Sequence, residues 1–316
     1  LDQLLPFLPK PAQEILVRMS RADKTRLEEI RCRARQPLEF IVSGKVWRMQ
    51  EKRMPIFHPG DAKEMLQKIS RYSFYTLEEE LRRGYITIPG GHRIGLAGRV
   101  ITENGRVLRL REVTFFNIRI AREKIGAARP LVPHLYKKGH WLSALIIGAP
   151  QTGKTTLIRD LARLIGEGIP ERSVPAQKAG IVDERSEIAG CIGGVPQNRL
   201  GKRTDVLDAC PKAEGMMMMI RSMSPDVLIV DEIGREEDTE ALLESLNAGI
   251  AVVATAHAHS IEEISRRPTI RPLIEARLFK RYIALSRVSR SGSPGYRLHV
   301  CDEQGRPMTT AEEIWS

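Results

Sequence analysis

At 316 residues, with 42% hydrophobic and 28% charged residues, the chain suits about two domains with full cores and has no disorder-like stretch. No apolar run approaches the ~18 residues of a membrane-crossing helix, and the visible N-terminus has no signal-peptide pattern. Four scattered cysteines without a C-x-x-C pair (Cys32, Cys191, Cys210, Cys301) point to a reducing cytoplasm and away from a zinc site.

The net charge of +11 is unevenly distributed. Residues 1–130 carry 26 Lys and Arg against 15 Asp and Glu, whereas residues 131–316 carry 24 of each. A basic part of this kind meets nucleic acid or acidic lipid, presents arginines to phosphates on an adjacent subunit, or is a solvated face.

In chain order, residues 11–20 and 61–71 read as helices, the second opening at Asp61 after Pro59-Gly60. Residues 30–35 alternate and predict a strand with Arg31, Arg33 and Arg35 on one face. Residues 77–83 predict a helix closed by Gly84. Strands are predicted over 85–88, 93–101, 106–113 and 116–120, with a hairpin turn at Asn104-Gly105. This is a small α+β domain. The run Arg129-Pro130-Leu131-Val132-Pro133 marks its end, giving a basic domain over 1–130 and a second domain over 131–316.

From there the pattern becomes α/β. Strands near 142–147, 179–183, 227–231 and 250–255 alternate with helical stretches, the order of a mostly parallel sheet covered on both faces. The first strand runs into Gly148-Ala149-Pro150-Gln151-Thr152-Gly153-Lys154-Thr155, which fits G-x-x-x-x-G-K-[ST] at every fixed position. A helix follows from Thr156, with apolar residues 157, 158, 161, 164 and 165 at helical spacing before Gly166 and Gly168. Phosphate binding needs this arrangement of strand, glycine loop and helix. Glycines let the backbone wrap the phosphates, and the loop N–H groups and helix N-terminus supply positive potential. Residues 148–156 form the expected cradle, with Lys154 on the β- and γ-phosphates and Thr155 on magnesium.

Three later strands end in chemistry-bearing residues. The strand at 227–230 closes on Asp231-Glu232, 77 residues after Lys154. Asp231 is assigned to magnesium through water, and Glu232 to the attacking water. Residues 181–185 end in Asp183-Glu184-Arg185, and neighbouring parallel strands deliver their ends to one crevice. Asp183 or Glu184 there positions water or magnesium, or joins Arg185 in a structural salt bridge. Residues 251–257 end in His257, read as a γ-phosphate sensor. His257 and His259 form H-x-H without a third ligand, which argues against a metal. Methionines 216–219, with Ile220 and Met223, have the spacing of helix core packing. Residues 282–287 and 296–301 suggest an appended hairpin across 292–295.

Several runs carry a family resemblance: 182–190 (Val-Asp-Glu-Arg-Ser-Glu-Ile-Ala-Gly), 195–198, 203–208, 221–227, and 77–98 with Gly84-Tyr85-Ile86-Thr87-Ile88-Pro89-Gly90-Gly91-His92-Arg93. Together they resemble the stage III sporulation protein AA family across nearly the whole chain. The second domain is more distantly similar to type II and type IV secretion ATPases. Their acidic box falls on Asp183 and Glu184, their Walker B element on Asp231 and Glu232, and their histidine box on Thr255 and His257.

The resemblance implies a RecA-like P-loop NTPase domain of 131–316 that hydrolyses ATP with magnesium. It further implies a cytoplasmic hexameric ring beneath membrane channel proteins between mother cell and forespore. The chain departs from the pattern at Ala149 and Gln151, where relatives carry a more glycine-rich loop; Gly148, Gly153, Lys154 and Thr155 remain.

The expected catalytic set is Lys154, Glu184, Glu232 and His257, with Glu184 or Glu232 as the base. In a ring, an arginine supplied to a neighbour's nucleotide joins it; Arg93, Arg111, Arg119 and Arg203 are the candidates. The alternative is a nucleic-acid-dependent P-loop ATPase that binds DNA or RNA through the basic domain. Against it, the seven Phe and six Tyr form no stacking stripe and no nucleic-acid motif is present.

Overall fold

The computed structural model describes residues 1–49, 53–70, 81, 84–103, 105–290, 293–308 and 312–315. Its backbone divides into two compact units, Leu1–Arg122 and Glu123–Ser316. The proline-marked run at 129–133 falls inside the second unit. Its prolines occupy first-turn positions of a 3-10 turn, Arg129–Leu131, and of a short helix, Val132–Leu135. Proline is pre-organised for a helix start, and Leu131, Val132 and Leu135 are buried in the second unit's core.

The first unit contains α1 (Lys10–Arg18), α2 (Arg21–Arg26), β1 (Leu27–Arg33), β2 (Glu39–Val42), β3 (Lys45–Trp47), α3 (Pro59–Ser70), β4 (Tyr85–Ile88), β5 (His92–Glu103) and β6 (Arg106–Arg119). The strands form one antiparallel sheet in the order β3-β2-β1-β6-β5-β4. Alternation sends Ile30, Phe40, Ile94 and Ile118 to one face, where Ile15 of α1 and Met65 and Ile69 of α3 complete the core. The other face carries Arg31, Arg33, Arg93 and Arg119.

Two sequence expectations change here. Arg35 leaves the strand and sits at φ 62, so only Arg31 and Arg33 share its face. The strands expected over 106–113 and 116–120 are one strand, bent at Glu112, which takes φ 55. A bulge bends a strand without ending its pairing, and Gly98 opposite has no room for a side chain beside the Glu112 backbone. The helix expected over 77–83 lies, Leu81 excepted, outside the described residues, as does Asn104 of the expected turn.

The second unit continues with α4 (Val132–Leu135), β7 (Tyr136–Lys137), β8 (His140–Trp141), β9 (Ala144–Gly148), α5 (Lys154–Glu167), β10 (Ala179–Asp183) and β11 (Thr204–Asp208). Then follow α6 (Lys212–Met223), β12 (Val227–Val230), α7 (Glu236–Asn247), β13 (Ala251–His257), α8 (Ile261–Ser265), α9 (Arg271–Glu275), β14 (Arg281–Arg290), β15 (Ser293–Cys301) and β16 (Glu312–Trp315). Eight strands form one sheet in the order β11-β10-β12-β13-β9-β14-β15-β16. Pairing is parallel from β11 to β14 and antiparallel from there to β16.

Strands β9, β10 and β12 are buried along their whole length, as both-face coverage requires. Leu157, Ile158, Leu161 and Ile165 of α5 pack on one face against Ile146, Ile181, Ile229 and Val253. Met216 and Met219 of α6, Leu242 of α7 and Leu273 of α9 cover the other, against Leu145, Ile147, Val182 and Val252. The methionine run thus splits: Met218 is 48% exposed. β14 is no appendage, because it pairs in parallel with β9. β11 escaped the sequence reading because its residues are only half buried and mostly polar.

Candidate functional site

Parallel register brings the strand ends into one row. Asp183 pairs with Asp208, Val182 with Val230, Val230 with Ala254, and Gly148 with His257. Asp208, Asp183, Asp231 and Thr255 therefore share one level at the C-terminal edge, with Gly148 and His257 just beyond, where open α/β sheets bind ligands.

The loop from Gly148 to Lys154 requires its glycines. A β-carbon at Gly148 would stand 2.6 Å from the Leu285 carbonyl oxygen and 2.7 Å from Thr152 Oγ1. Gly153, at φ 91, caps α5 in the left-handed region and turns the chain into the helix. Gln151 also sits there, at φ 61, a conformation that costs a non-glycine residue about 1 kcal/mol. The departure at Gln151 therefore has a local cost. Thr152 Oγ1 donates to the Ala149 carbonyl at 2.8 Å and pins the loop.

Lys154 is 5% exposed. Its ammonium donates to the carbonyls of Gly148 and Ala149, both at 2.9 Å, and to His257 Nδ1 at 3.1 Å. Burial lowers its affinity for the proton, while Asp231 and Glu232 act to restore it. An ammonium only donates, so His257 Nδ1 accepts and its proton sits on Nε2, which donates to Glu232 Oε1 at 2.9 Å. Arg185 Nη1 holds the other Glu232 oxygen at 2.9 Å. Glu232 takes φ 51, an unusual backbone held by its N–H bond to Thr255 Oγ1 at 2.8 Å. Strain of this kind persists where the surroundings over-determine it.

Asp231 accepts the Thr155 hydroxyl at 3.0 Å on one oxygen and the Thr255 hydroxyl on the other. The P-loop hydroxyl and the strand-end carboxylate thus stand together, the pair that a magnesium–nucleotide complex requires. Hard oxygen donors, a buried cation and a glycine-turned helix N-terminus fit that ligand.

The acidic strand end divides its work. Asp183 is 1% exposed and accepts the backbone N–H groups of Glu187, Ile188 and Ala189 at 2.8, 2.9 and 2.8 Å. Burial pushes its carboxyl up to about 6, against the pull of those donors. Asp183 therefore anchors the following loop. Glu184 is held by Lys212 Nζ at 2.6 Å, with Arg235 at 3.8 Å. Burial raises its proton affinity, but the Lys212 contact wins and leaves the carboxyl below its ordinary value. Beside the salt-bridge alternative for this run, Arg185 pairs with Glu232 and Glu184 with Lys212, both partners coming from outside it. Asp183, Glu184, Arg185, Glu187, Lys212, Asp231 and Glu232 line one narrow cleft.

Arg203 lies elsewhere. It precedes β11 at the N-terminal edge of the sheet, its Nη1 donating to the Ala176 carbonyl at 2.8 Å and its N–H to the Gly166 carbonyl. Gly166 lies in the last turn of α5, roughly 20 Å from the loop at 1.5 Å per residue. Any role for Arg203 at a phosphate is therefore on another subunit. Within the first unit, Arg119 faces Glu29 at 3.8 Å, Arg93 lies 3.5 Å over the Tyr85 ring, and Arg111 stands opposite Arg99.

Sequence reasoning missed two cations. Arg159, on α5, donates to the carbonyls of Ile188, at 2.7 Å, and Glu187, at 2.5 Å. Its position four residues past Thr155 was the available signal. Lys212 opens α6 and gave no signal, because its partner comes from a distant strand.

The family model described as "Sporulation stage III, protein AA" matches residues 2–308. Stage III sporulation protein AA of Bacillus subtilis (strain 168) is 51% identical over 314 residues, covering 98% of this chain and 97% of that protein. The structure is similar to the Legionella pneumophila ATPase DotB (TM-score 0.60, 15% identity, 98% of this chain and 81% of that one). It is also similar to the pilus retraction motor PilT with bound ADP (TM-score 0.61, 16% identity, 93% and 82%). At those identities the likeness shows the fold, which is RecA-like P-loop α/β. The family match and the identity over nearly both full lengths reach the same conclusion: the chain belongs to the stage III sporulation protein AA family.

Proposed function

We propose that this protein is an ATP hydrolase that works as a motor, converting turnover into the driving of a sporulation-specific secretion complex between mother cell and forespore. The observation that carries the reading is the meeting of Thr155 with Asp231 beside a buried Lys154, at the mouth of a glycine loop. Family membership supports the sporulation setting. Among the described residues no helix is long and apolar enough to cross a membrane, which suits a cytoplasmic ring associated peripherally with membrane channel proteins.

In this reading, Thr155 and Asp231 would hold magnesium, which would supply charge neutralisation at the phosphates. Lys154 exchanges its loop carbonyls and His257 for the β- and γ-phosphate oxygens. Glu232 accepts the proton of the attacking water; each of its oxygens keeps a lone pair beyond its bonds to His257 and Arg185. His257 fixes Glu232 through Nε2–H and loses its Lys154 contact when the lysine turns to phosphate, so it reports occupancy to Glu232. Glu184, bound by Lys212, orients groups around that cleft. An arginine from a neighbouring subunit completes the charge on the γ-phosphate, and six subunits form the ring.

The nucleic-acid reading loses support from the sheet face of the first unit. Arg31 and Arg33 there are paired with Glu29 and Glu39, at 2.9 and 3.4 Å.

The test is a pair of variants. Lys154→Ala should abolish ATP hydrolysis, and Glu232→Gln should keep ATP binding while stopping turnover. Near wild-type hydrolysis by either variant, or stimulation of the wild type only by DNA or RNA at physiological salt, would overturn the proposal.

A further inference from the structure

The first unit carries a cavity of about 840 Å³ at the β3 end of its sheet. That volume falls within the roughly 300–1,000 Å³ of ordinary binding sites. Backbone pairing fixes the stretches that border it. β3 pairs with β2. Just before β2, Leu38 N–H donates to the Pro55 carbonyl at 2.8 Å, and Phe57 N–H donates to the Gln36 carbonyl at 2.9 Å. Val46, Met49, Met54 and Ile56 supply the apolar part of the lining. Val46 and Ile56 are 51% and 48% exposed, so two branched apolar side chains stand in water there. Trp47 between them is fixed, its ring edge-on to Phe40 and its Nε1 donating to Asp23 at 3.3 Å.

The charge in the lining has one sign. Arg33 pairs with Glu39, the one acid among the lining residues, with two contacts of 3.4 Å. Arg48 and Arg53 are exposed and have no acidic partner among the described residues. β3 is also an outer strand, so its side away from β2 has no strand partner among the described residues. Such an edge is a template for another extended chain.

We propose that this edge and cavity dock an extended acidic segment of a partner protein, one with an apolar residue two positions from an Asp or Glu. Residues two apart share a face of an extended chain, so both side chains turn toward the cavity together. The segment adds to β3 through its backbone, which gives affinity, while the cavity reads its side chains. The apolar residue lies against Val46 and Ile56 and removes them from water. The carboxylate meets Arg48 or Arg53, whose planar forks suit it. A free amphipathic anion or a lipid brings no backbone to pair with β3, so the open edge favours a peptide. The inference concerns the first unit alone and stands apart from the nucleotide reading.

The test selects random peptides displayed on phage against the full chain at physiological salt. One enriched peptide is then synthesised and titrated. Enriched sequences should share the apolar-x-acidic pattern. Arg48→Glu with Arg53→Glu should weaken the peptide at least roughly 10-fold, the loss of one charge-assisted contact, and Val46→Asp should do the same. Lys63→Glu, a charge reversal on α3, should leave binding unchanged. All four positions are exposed, so the variants should keep the wild-type circular dichroism. No enrichment, enrichment of sequences without the pattern, or binding that survives the arginine reversals overturns the proposal. If phosphatidylglycerol vesicles bind through Arg48 and Arg53 while no peptide does, the surface is a lipid site and the proposal is overturned as well.

Discussion

Asp183→Ala removes the single acceptor of three backbone N–H groups. Ile188 and Ala189 are 0% exposed, so their N–H groups would be stranded, whereas Glu187 is half exposed and can turn to water. Each stranded donor costs about 1–3 kcal/mol, so the variant should lose about 2–6 kcal/mol of stability at acid pH. The loss should shrink as pH rises. Burial moves the Asp183 carboxyl from 3.8 up to about 6, worth about 3 kcal/mol at 1.36 kcal/mol per pH unit. A carboxyl raised on folding contributes most below its unfolded value and loses that contribution as pH climbs through about 6. Urea unfolding of both proteins at pH 5 and pH 8 gives the two differences. Limited proteolysis between residues 185 and 198 should show the released loop. A difference that fails to shrink by about 1 kcal/mol between pH 5, one unit below the folded value, and pH 8 would refute the reasoning.

The other predictions concern the ion, the ring and the first unit. Excess chelator should abolish ATP hydrolysis if, as proposed, Thr155 and Asp231 hold the ion on which the phosphates depend; persisting turnover contradicts the site. Mixing inactive Lys154→Ala with an inactive variant of Arg93, Arg111, Arg119 or Arg203 should restore partial activity, since some interfaces then pair an intact loop with an intact arginine. Full activity in all four arginine variants, or efficient hydrolysis by a dilute monomer, removes the arginine in trans. His92 is 5% exposed and accepts the Ala121 N–H at 3.0 Å; burial pushes it down to about 4. A histidine lowered on folding stabilises above its unfolded value near 6.5 and loses that contribution as pH falls through about 4. Wild type should therefore lose about 3 kcal/mol between pH 7 and pH 4 that His92→Gln does not, measured by urea unfolding; identical slopes refute it.

The sequence alone determined what rests on local chemistry. The loop from Gly148 to Thr155 was legible because phosphate binding constrains neighbouring residues, and Asp231 and Glu232 because a continuous apolar run ended in charge. The parallel α/β pattern was legible for the same reason: strands covered on both faces read as apolar runs. Tertiary structure decided whatever depends on partners far apart in the chain. Only parallel register set His257 beside Gly148 and let Lys154, His257 and Glu232 bond in a row across 103 and 25 residues of separation. Only packing turned Asp183, the buried last residue of β10, into an anchor while Glu184, in the turn that follows, went to Lys212. β14 joined β9, carrying Tyr296 to Gly153, because strand pairing is a contest among distant segments that alternation cannot settle. Residue types fix which chemistry is possible; the register of buried strands fixes which residues meet to perform it.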